Sequence, residues 1–252
     1  MPPSRSSNSM AARASPGWPG PLREHETMTA VIDLDPAGRE RPLSKTEKIM
    51  VRHMTAAWSA PMFAVTVEVD MGPAKARRRE GVTLTDVLLA DCAATLAAHP
   101  EVNAHYADGT VTEFDSVNLG LAVAAEKGLT VPVIHGAEAL DLEGISSRRK
   151  GLVEKVRAGK IGIPDVMGGT FTVSNLGMFG VTRFTAILNP PQVAILAVGT
   201  SNMRQVWNDG DPQWREIAEL SLTSDHRAVD GAAAARFLAT LKSRLEGGAT
   251  AA

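Results

Sequence analysis

The chain has 252 residues, a formal net charge of −2, 44% hydrophobic residues and 21% charged residues. This suffices for a sizeable core in one large or two small domains, and the near-neutral charge excludes a general affinity for nucleic acid or anionic membrane. Four Trp, one Tyr and six Phe are too few for base-stacking platforms, the single Cys92 excludes an internal disulfide, and no apolar run is long enough to span a bilayer.

Residues 1–40, with Pro2-Pro3, repeated serines and Pro16-Gly17-Trp18-Pro19-Gly20, predict a disordered linker or N-terminal extension. They lack the apolar h-region of a secretory signal, and Glu24 and Glu26 weigh against a transit peptide. Within them Ala30–Leu34 reads as a short edge strand. The folded domain is expected over 41–252. It opens with the capping-box spacing Ser44-x-x-Glu47, followed by a helix with an apolar stripe at Ile49, Met50, Met54, Ala57 and Trp58. Pro61 ends that helix, and Phe63–Val69 alternates as a strand. Thr83 or Thr85 caps a second helix that closes at His99-Pro100; in it Cys92 shares a stripe with Leu88 and Leu96 and reads as a core residue.

Alternation at Val117, Leu119, Leu121 and Val123, a turn at Glu126-Lys127-Gly128 and a return over Leu129–Ile134 predict a hairpin. A charged amphipathic helix is expected over Leu140–Gly159, then strands at 170–174, 193–198 and 217–223. Phe237, Leu238, Leu241 and Leu245 at helical spacing mark a last helix over Ala232–Leu245. Strands and helices mix without strict alternation, which fits an α/β (α+β sandwich) class with a mixed β-sheet covered by helices.

Two segments carry chemistry. The first is Asp225-His226-Arg227-Ala228-Val229-Asp230-Gly231, at the junction of the last strand and helix. A lone histidine is more often a hydrogen-bonded junction residue, but this one stands among charged neighbours able to fix its ring for general-base work near neutral pH. Asp230 is placed to cap the helix. The second is Gly168-Gly169-Thr170-Phe171-Thr172-Val173-Ser174-Asn175-Leu176-Gly177, whose Ser174 in isolation is an ordinary turn residue; Thr172 shares its strand face. The basic runs Arg77-Arg78-Arg79 and Arg148-Arg149-Lys150 read as solvated faces. The remaining histidines lack ligand spacing, so no metal is expected. There is no Walker loop and no Gly-x-Gly-x-x-Gly fingerprint.

Together these segments resemble the catalytic domain of the dihydrolipoamide acyltransferases, the E2 components of 2-oxo acid dehydrogenase complexes, over about Pro42–Glu246. Chloramphenicol acetyltransferase is similar in fold and mechanism. The resemblance implies acyl transfer between dihydrolipoamide and coenzyme A, with His226 as the base and Ser174 as hydrogen-bond donor to the oxyanion, Thr172 and Asn175 being lesser neighbours. Asp230 is implied to hold the histidine loop through a buried ion pair, with Arg52 as partner. Met178 and Phe179 match positions beside the acyl and pantetheine channel, and Lys127 is the candidate for a coenzyme phosphate. The resemblance also implies a homotrimer with histidine and serine supplied by adjacent subunits, a twenty-four-subunit cubic core in many relatives, and E1 and E3 components as partners; the single Cys92 suits a reducing, cytoplasmic compartment.

The sequence departs from that family in two places. The lipoyl domain and the peripheral subunit-binding domain are absent from these residues, so the lipoyl group is expected in trans or from a missing N-terminal part. His53 stands where relatives commonly carry a second arginine. Other readings are a stand-alone CoA-dependent acetyltransferase acting on a small hydroxylated acceptor, a non-catalytic scaffold subunit, and an E2-like region of a larger multifunctional polypeptide. The acyl group is not legible.

Overall fold

A computed structural model describes residues 38–125, 128–208 and 210–248; the chain divides after Pro42, and the unit from Leu43 onward carries the fold. The expected edge strand at Ala30–Leu34, most of the expected linker and Lys127 lie outside the described residues.

Helix α1 (Lys45–Ala57) starts at the predicted capping box: the Ser44 side chain accepts from the Glu47 amide at 3.2 Å and Glu47 accepts from the Ser44 amide at 2.8 Å. Strand β1 (Met62–Asp70) follows Pro61, then a short helix α2 (Gly72–Ala76) and helix α3 (Leu84–Leu96), which Thr83 caps. Strands β2 (Ala104–Ala107) and β3 (Thr110–Glu113) form a hairpin. It turns through Asp108 and Gly109, both at positive φ (48° and 80°), the conformation that an Asp-Gly pair supplies in a two-residue turn.

The predicted hairpin over 117–134 is present but divided between two sheets. Strands β4 (Leu119–Leu121) and β7 (Val133–Ile134) belong to the main sheet, while β5 (Val123–Ala125) and β6 (Gly128–Thr130) form a separate ribbon beyond it. Helix α4 (Leu142–Arg157), capped by Asp141, precedes β8 (Phe171–Asn175) and β9 (Ala194–Val198). A second hairpin that periodicity had not indicated, β10 (Asn202–Asn208) with β11 (Asp211–Asp225), extends the predicted 217–223 strand. Helix α5 (Gly231–Leu245) closes the chain.

The main sheet runs β1-β11-β9-β8-β4-β7, with β10 beside β11. Pairs β8–β9 and β4–β8 are parallel and the others antiparallel, so the sheet is mixed, as expected. One face is covered by helices. Phe171 and Val173 of β8, Leu196 of β9 and Leu220 and Leu222 of β11 pack in one core with Leu88, Cys92 and Leu96 of α3 and Phe237, Leu238 and Leu241 of α5. Cys92 is fully buried and burial pushes its thiol far up, so it is a packing residue and no nucleophile. The opposite face is lined by smaller side chains and is covered in part by the segment carrying Ala186 and Leu188.

Helix α1 departs from expectation. Of its predicted apolar stripe only Ala57 is buried; Ile49, Met50 and Trp58 are exposed, Trp58 by 71%. A hydrophobic stripe encodes burial without naming what covers it, and here the chain's own core does not.

The basic runs are largely consumed by ion pairs. Arg77 pairs with Asp91, Arg79 with Glu143, and Arg149 with Asp86. Asp86 is fully buried and accepts from Arg149 Nε at 2.5 Å and from the Thr83 amide and hydroxyl at 2.7 Å each. Burial opposes its ionisation, but Arg149 and Thr83 outweigh that and hold the carboxyl below its usual range. Asp86→Ala leaves Arg149 without its buried partner, which costs about 3–5 kcal/mol. For a chain of this size we expect thermal unfolding at pH 7 to begin roughly 6–20 °C lower. Because the folded pKa is depressed, this stabilisation is complete above the unfolded carboxylate pKa of about 3.9 and fades as pH falls through the folded value. The gap between wild type and Asp86→Asn should therefore narrow in acid. A Tm change under about 2 °C at pH 7 would count against the pair as a structural anchor.

Candidate active site

His226 and Ser174 lie at opposite ends of the sheet. His226 follows β11, where its exposed side chain projects from the turn. Its backbone amide donates to Pro61 O at 3.0 Å, tying the turn to the residue before β1, and the Asp225 amide donates to Val193 O at 2.8 Å. The Phe63 ring lies 4.6 Å from the imidazole, centroid to centroid. Among the described residues neither ring nitrogen of His226 has a hydrogen-bond partner. Beside it is a cleft of about 540 Å³ lined by Trp58, Met62, Phe63, Ala64, Ile187 and Thr223.

Asp230 caps α5 as expected, accepting from the Ala233 amide at 2.7 Å. That bond, with the Ala232 amide and the charges of Arg236 and His226, holds its carboxyl below the usual range. The expected ion pair with Arg52 is not made. Arg52 is exposed on α1, and the Asp230 carboxylate is committed to the first amides of α5. The arginine that braces the loop is Arg227 and its carboxylate is Asp225, a pair the sequence reading did not single out. Arg227 Nε and Nη2 donate to Asp225 at 2.9 and 2.6 Å, and its guanidinium lies 4.1 Å from the centroid of the Tyr106 ring. Local chemistry offered a signal: an Asp that accepts from an amide two residues on forms a tight side-chain turn, as Asp225 does with the Arg227 amide at 3.0 Å.

Ser174 sits near the end of β8 with Thr172 on its own face, while Phe171 and Val173 enter the core. Thr172 is buried and donates to Gln192 Oε1 at 2.6 Å; Gln192 Nε2 in turn donates to Gly169 O at 3.0 Å. Gln192, the last residue of Asn189-Pro190-Pro191-Gln192 just before β9, thus locks the strand that carries the serine. Ser174 Oγ has no partner of its own among the described residues. Asn175 Oδ1 accepts from the Gly177 amide at 2.9 Å, shaping the turn after the strand. Gly199 faces that turn, and a Cβ there would lie 1.8 Å from Thr182 O, so only glycine fits. Ser174 opens into a cavity of about 260 Å³ that Leu121, Leu129, Met178, Phe179 and Arg157 also line. Met178 and Phe179 are therefore placed beside the serine, both mostly exposed.

Register fixes how far apart His226 and Ser174 are. Ser174 pairs with Ala197, Ala194 pairs with Ser224, and His226 lies two residues further in the same direction. At about 3.3 Å per residue and 4.8 Å per strand, the offset is about 17 Å along the strands and 10 Å across, roughly 19 Å in all. The two side chains of one chain cannot act on one substrate.

Among the described residues no group of three or more His, Cys, Asp or Glu is arranged to hold a metal, and no helix is long and apolar enough to cross a membrane.

A mixed sheet with helices on one face, a histidine turn at one end and a serine strand at the other define an acyltransferase-type fold. Chloramphenicol acetyltransferase shares it at a TM-score of 0.54 and 16% identity, over 78% of this chain and 92% of that one. The chain belongs to the 2-oxoacid dehydrogenases acyltransferase (catalytic domain) family, whose model matches residues 36–251. It is 38% identical over 165 residues to the dihydrolipoyllysine-residue acetyltransferase component of the pyruvate dehydrogenase complex of Rickettsia bellii, covering 66% of this chain and 40% of that one. It is similar in structure to the cubic core of a pyruvate dehydrogenase multienzyme complex, with 33% identity, a TM-score of 0.81, and 85% and 95% of the two chains covered. It is also similar to Azotobacter vinelandii dihydrolipoamide acetyltransferase, in whose catalytic mechanism a serine, a histidine and an asparagine were investigated; identity is 33%, TM-score 0.79, and coverage 82% and 91%. The chain spans less than half the length of the curated relatives it matches.

Proposed function

We propose that this chain is an acyltransferase core that moves an acyl group between dihydrolipoamide and coenzyme A. The observation that carries the reading is the pairing of an open histidine with an open, cavity-facing serine in a family of acyltransferase domains. Their separation of roughly 19 Å within one chain means that the site forms between two copies.

The chemistry needs a thiolate. A free thiol has a pKa near 8.5, so a few per cent is ionised at pH 7. His226 takes the proton from the attacking thiol as its sulfur bonds to the thioester carbonyl carbon. The carbonyl oxygen becomes an oxyanion and accepts a hydrogen bond from the Ser174 hydroxyl of the adjacent copy. When the intermediate collapses, the carbon–sulfur bond to the original carrier breaks, and that sulfur regains a proton from the imidazolium. Met178 and Phe179 flank the serine with apolar surface suited to a pantetheine or lipoyl arm. Lys127 stays the candidate for a coenzyme phosphate.

A homotrimer is the smallest assembly we propose, with a twenty-four-subunit cubic core as the larger form, supported by the similarity to a cubic pyruvate dehydrogenase core. The exposed stripe of α1 gives such assembly a surface to cover. E1 and E3 components and a lipoyl domain are the partners, with the lipoyl group arriving in trans or from further sequence. We place the protein in the cytoplasm, in keeping with its single buried, unpaired cysteine.

Acetyl-, succinyl- and isobutyryl-CoA, each offered with dihydrolipoamide, test the reading. Turnover of one thioester well above the other two would establish both reaction and acyl class. Failure of all three in a folded trimer, with transfer to a small alcohol instead, would move the protein to the chloramphenicol acetyltransferase type of acceptor.

A further inference from the structure

Among the described residues His226 has no side-chain hydrogen bond, so its aim depends on the turn that carries it. That turn is held from three directions. Pro61 O and Val193 O fix the backbone at His226 and Asp225, and the Phe63 ring supports the imidazole. The third support is a side chain folded back over the turn: Arg227, whose guanidinium is held by Asp225 beneath it and by the face of Tyr106.

Tyr106 is not part of the turn. It lies on β2, and its amide donates to Pro191 O at 2.8 Å. The neighbouring His105 bonds Gly169 O at 3.0 Å, the same carbonyl that accepts from Gln192. Tyr106 is therefore anchored to the Pro191-Gln192 turn, which also locks the strand of Ser174. An arginine paired only with a carboxylate at a partly exposed site is loosely held, because water competes and several rotamers satisfy the pair. A ring face adds a second, directional attraction and selects one rotamer. The Asp225 side chain is only 5% exposed, so the guanidinium has one fixed charge to meet and one fixed plane to lie on.

We propose that Tyr106 and Arg227 are positioning residues for acyl transfer: the tyrosine face clamps the guanidinium, and the clamped guanidinium sets the turn that aims His226. The proposal rests on the acyl-transfer reading of the site. Neither residue touches the reacting atoms. A positioning role predicts that the ring matters and the phenol hydroxyl does not, and that chemistry suffers while binding is spared.

Tyr106→Leu, Tyr106→Phe and Arg227→Lys are the variants to compare, in the assembled full-length chain. Tyr106→Leu should lower kcat about tenfold, since a misplacement of about 1 Å can cost about 10²-fold. KM for both thiols should stay within about twofold. Tyr106→Phe should match wild type, and Arg227→Lys, which loses the planar fork, should fall near Tyr106→Leu. The second readout is independent of turnover: the His226 ring signal in ¹³C-histidine-labelled protein. It should shift in Tyr106→Leu and not in Tyr106→Phe. Equal kcat in the Leu and Phe variants, or equal losses in both accompanied by a fall in Tm, would overturn the clamp. If the wild type transfers no acyl group, the function reading fails, while the ring signal still decides the clamp: a shift confined to Tyr106→Leu upholds it and no shift rejects it.

Discussion

His226→Ala is expected to lower kcat for acyl transfer by about 10²–10⁴-fold without unfolding the chain. The imidazole is exposed beyond the end of β11, so its removal leaves no cavity, and Tm should move by about 1–2 °C at most. The residual rate should take the pH dependence of the free thiol. Below the thiol pKa of about 8.5 it should climb nearly tenfold per pH unit, because only the spontaneously ionised fraction reacts. Steady-state rates between pH 6 and 9 for both proteins check this. A kcat within about threefold of wild type would remove His226 from the mechanism.

Ser174→Ala should cost about 10²–10³ in kcat, the usual loss when one oxyanion donor is removed, with KM little changed. The sharper test joins the two variants. In the proposed trimer, whose interfaces would be heterologous, each site would take its histidine from one subunit and its serine from the next. Co-assembling His226→Ala and Ser174→Ala chains at equal ratio should then place an intact histidine beside an intact serine at about a quarter of the sites. Activity should recover from nearly nothing to roughly that fraction. If both residues acted from one chain, mixing would restore nothing. Recovery is the expected outcome, since strands β8, β9 and β11 hold the two side chains of one chain roughly 19 Å apart.

The secondary structure was legible where a local rule sufficed. Ser44 with Glu47 caps α1 as expected, Thr83 is the one of the two expected threonines that caps α3, and Phe237 to Leu245 forms the buried stripe of α5. Of the two missed hairpins, β2–β3 and β10–β11, the first had a legible turn in Asp108-Gly109. Their strands were obscured because exposed polar residues break the alternation that identifies a half-buried strand. For the site, motif wording singled out His226 and Ser174 and capping chemistry placed Asp230. The Arg52 pairing failed because an ion pair between distant segments depends on where α1 lies, and the capping role leaves Asp230 satisfied without it.

By itself the sequence determined most of the elements, the mixed α/β class, the family, and His226 and Ser174 as the candidates for its chemistry, because capping, periodicity and motif spacing act over a few residues. Only the tertiary structure decided that His226 and Ser174 lie at opposite ends of one sheet, that Arg227 beside His226 meets both Asp225 and the Tyr106 ring, and that the stripe of α1 is exposed. Those facts arise from strand order and register, which bring residues 106, 192 and 227 together across more than a hundred positions of chain. Contacts of that range are set by the packing of the whole sheet against α3 and α5, and no local pattern encodes them.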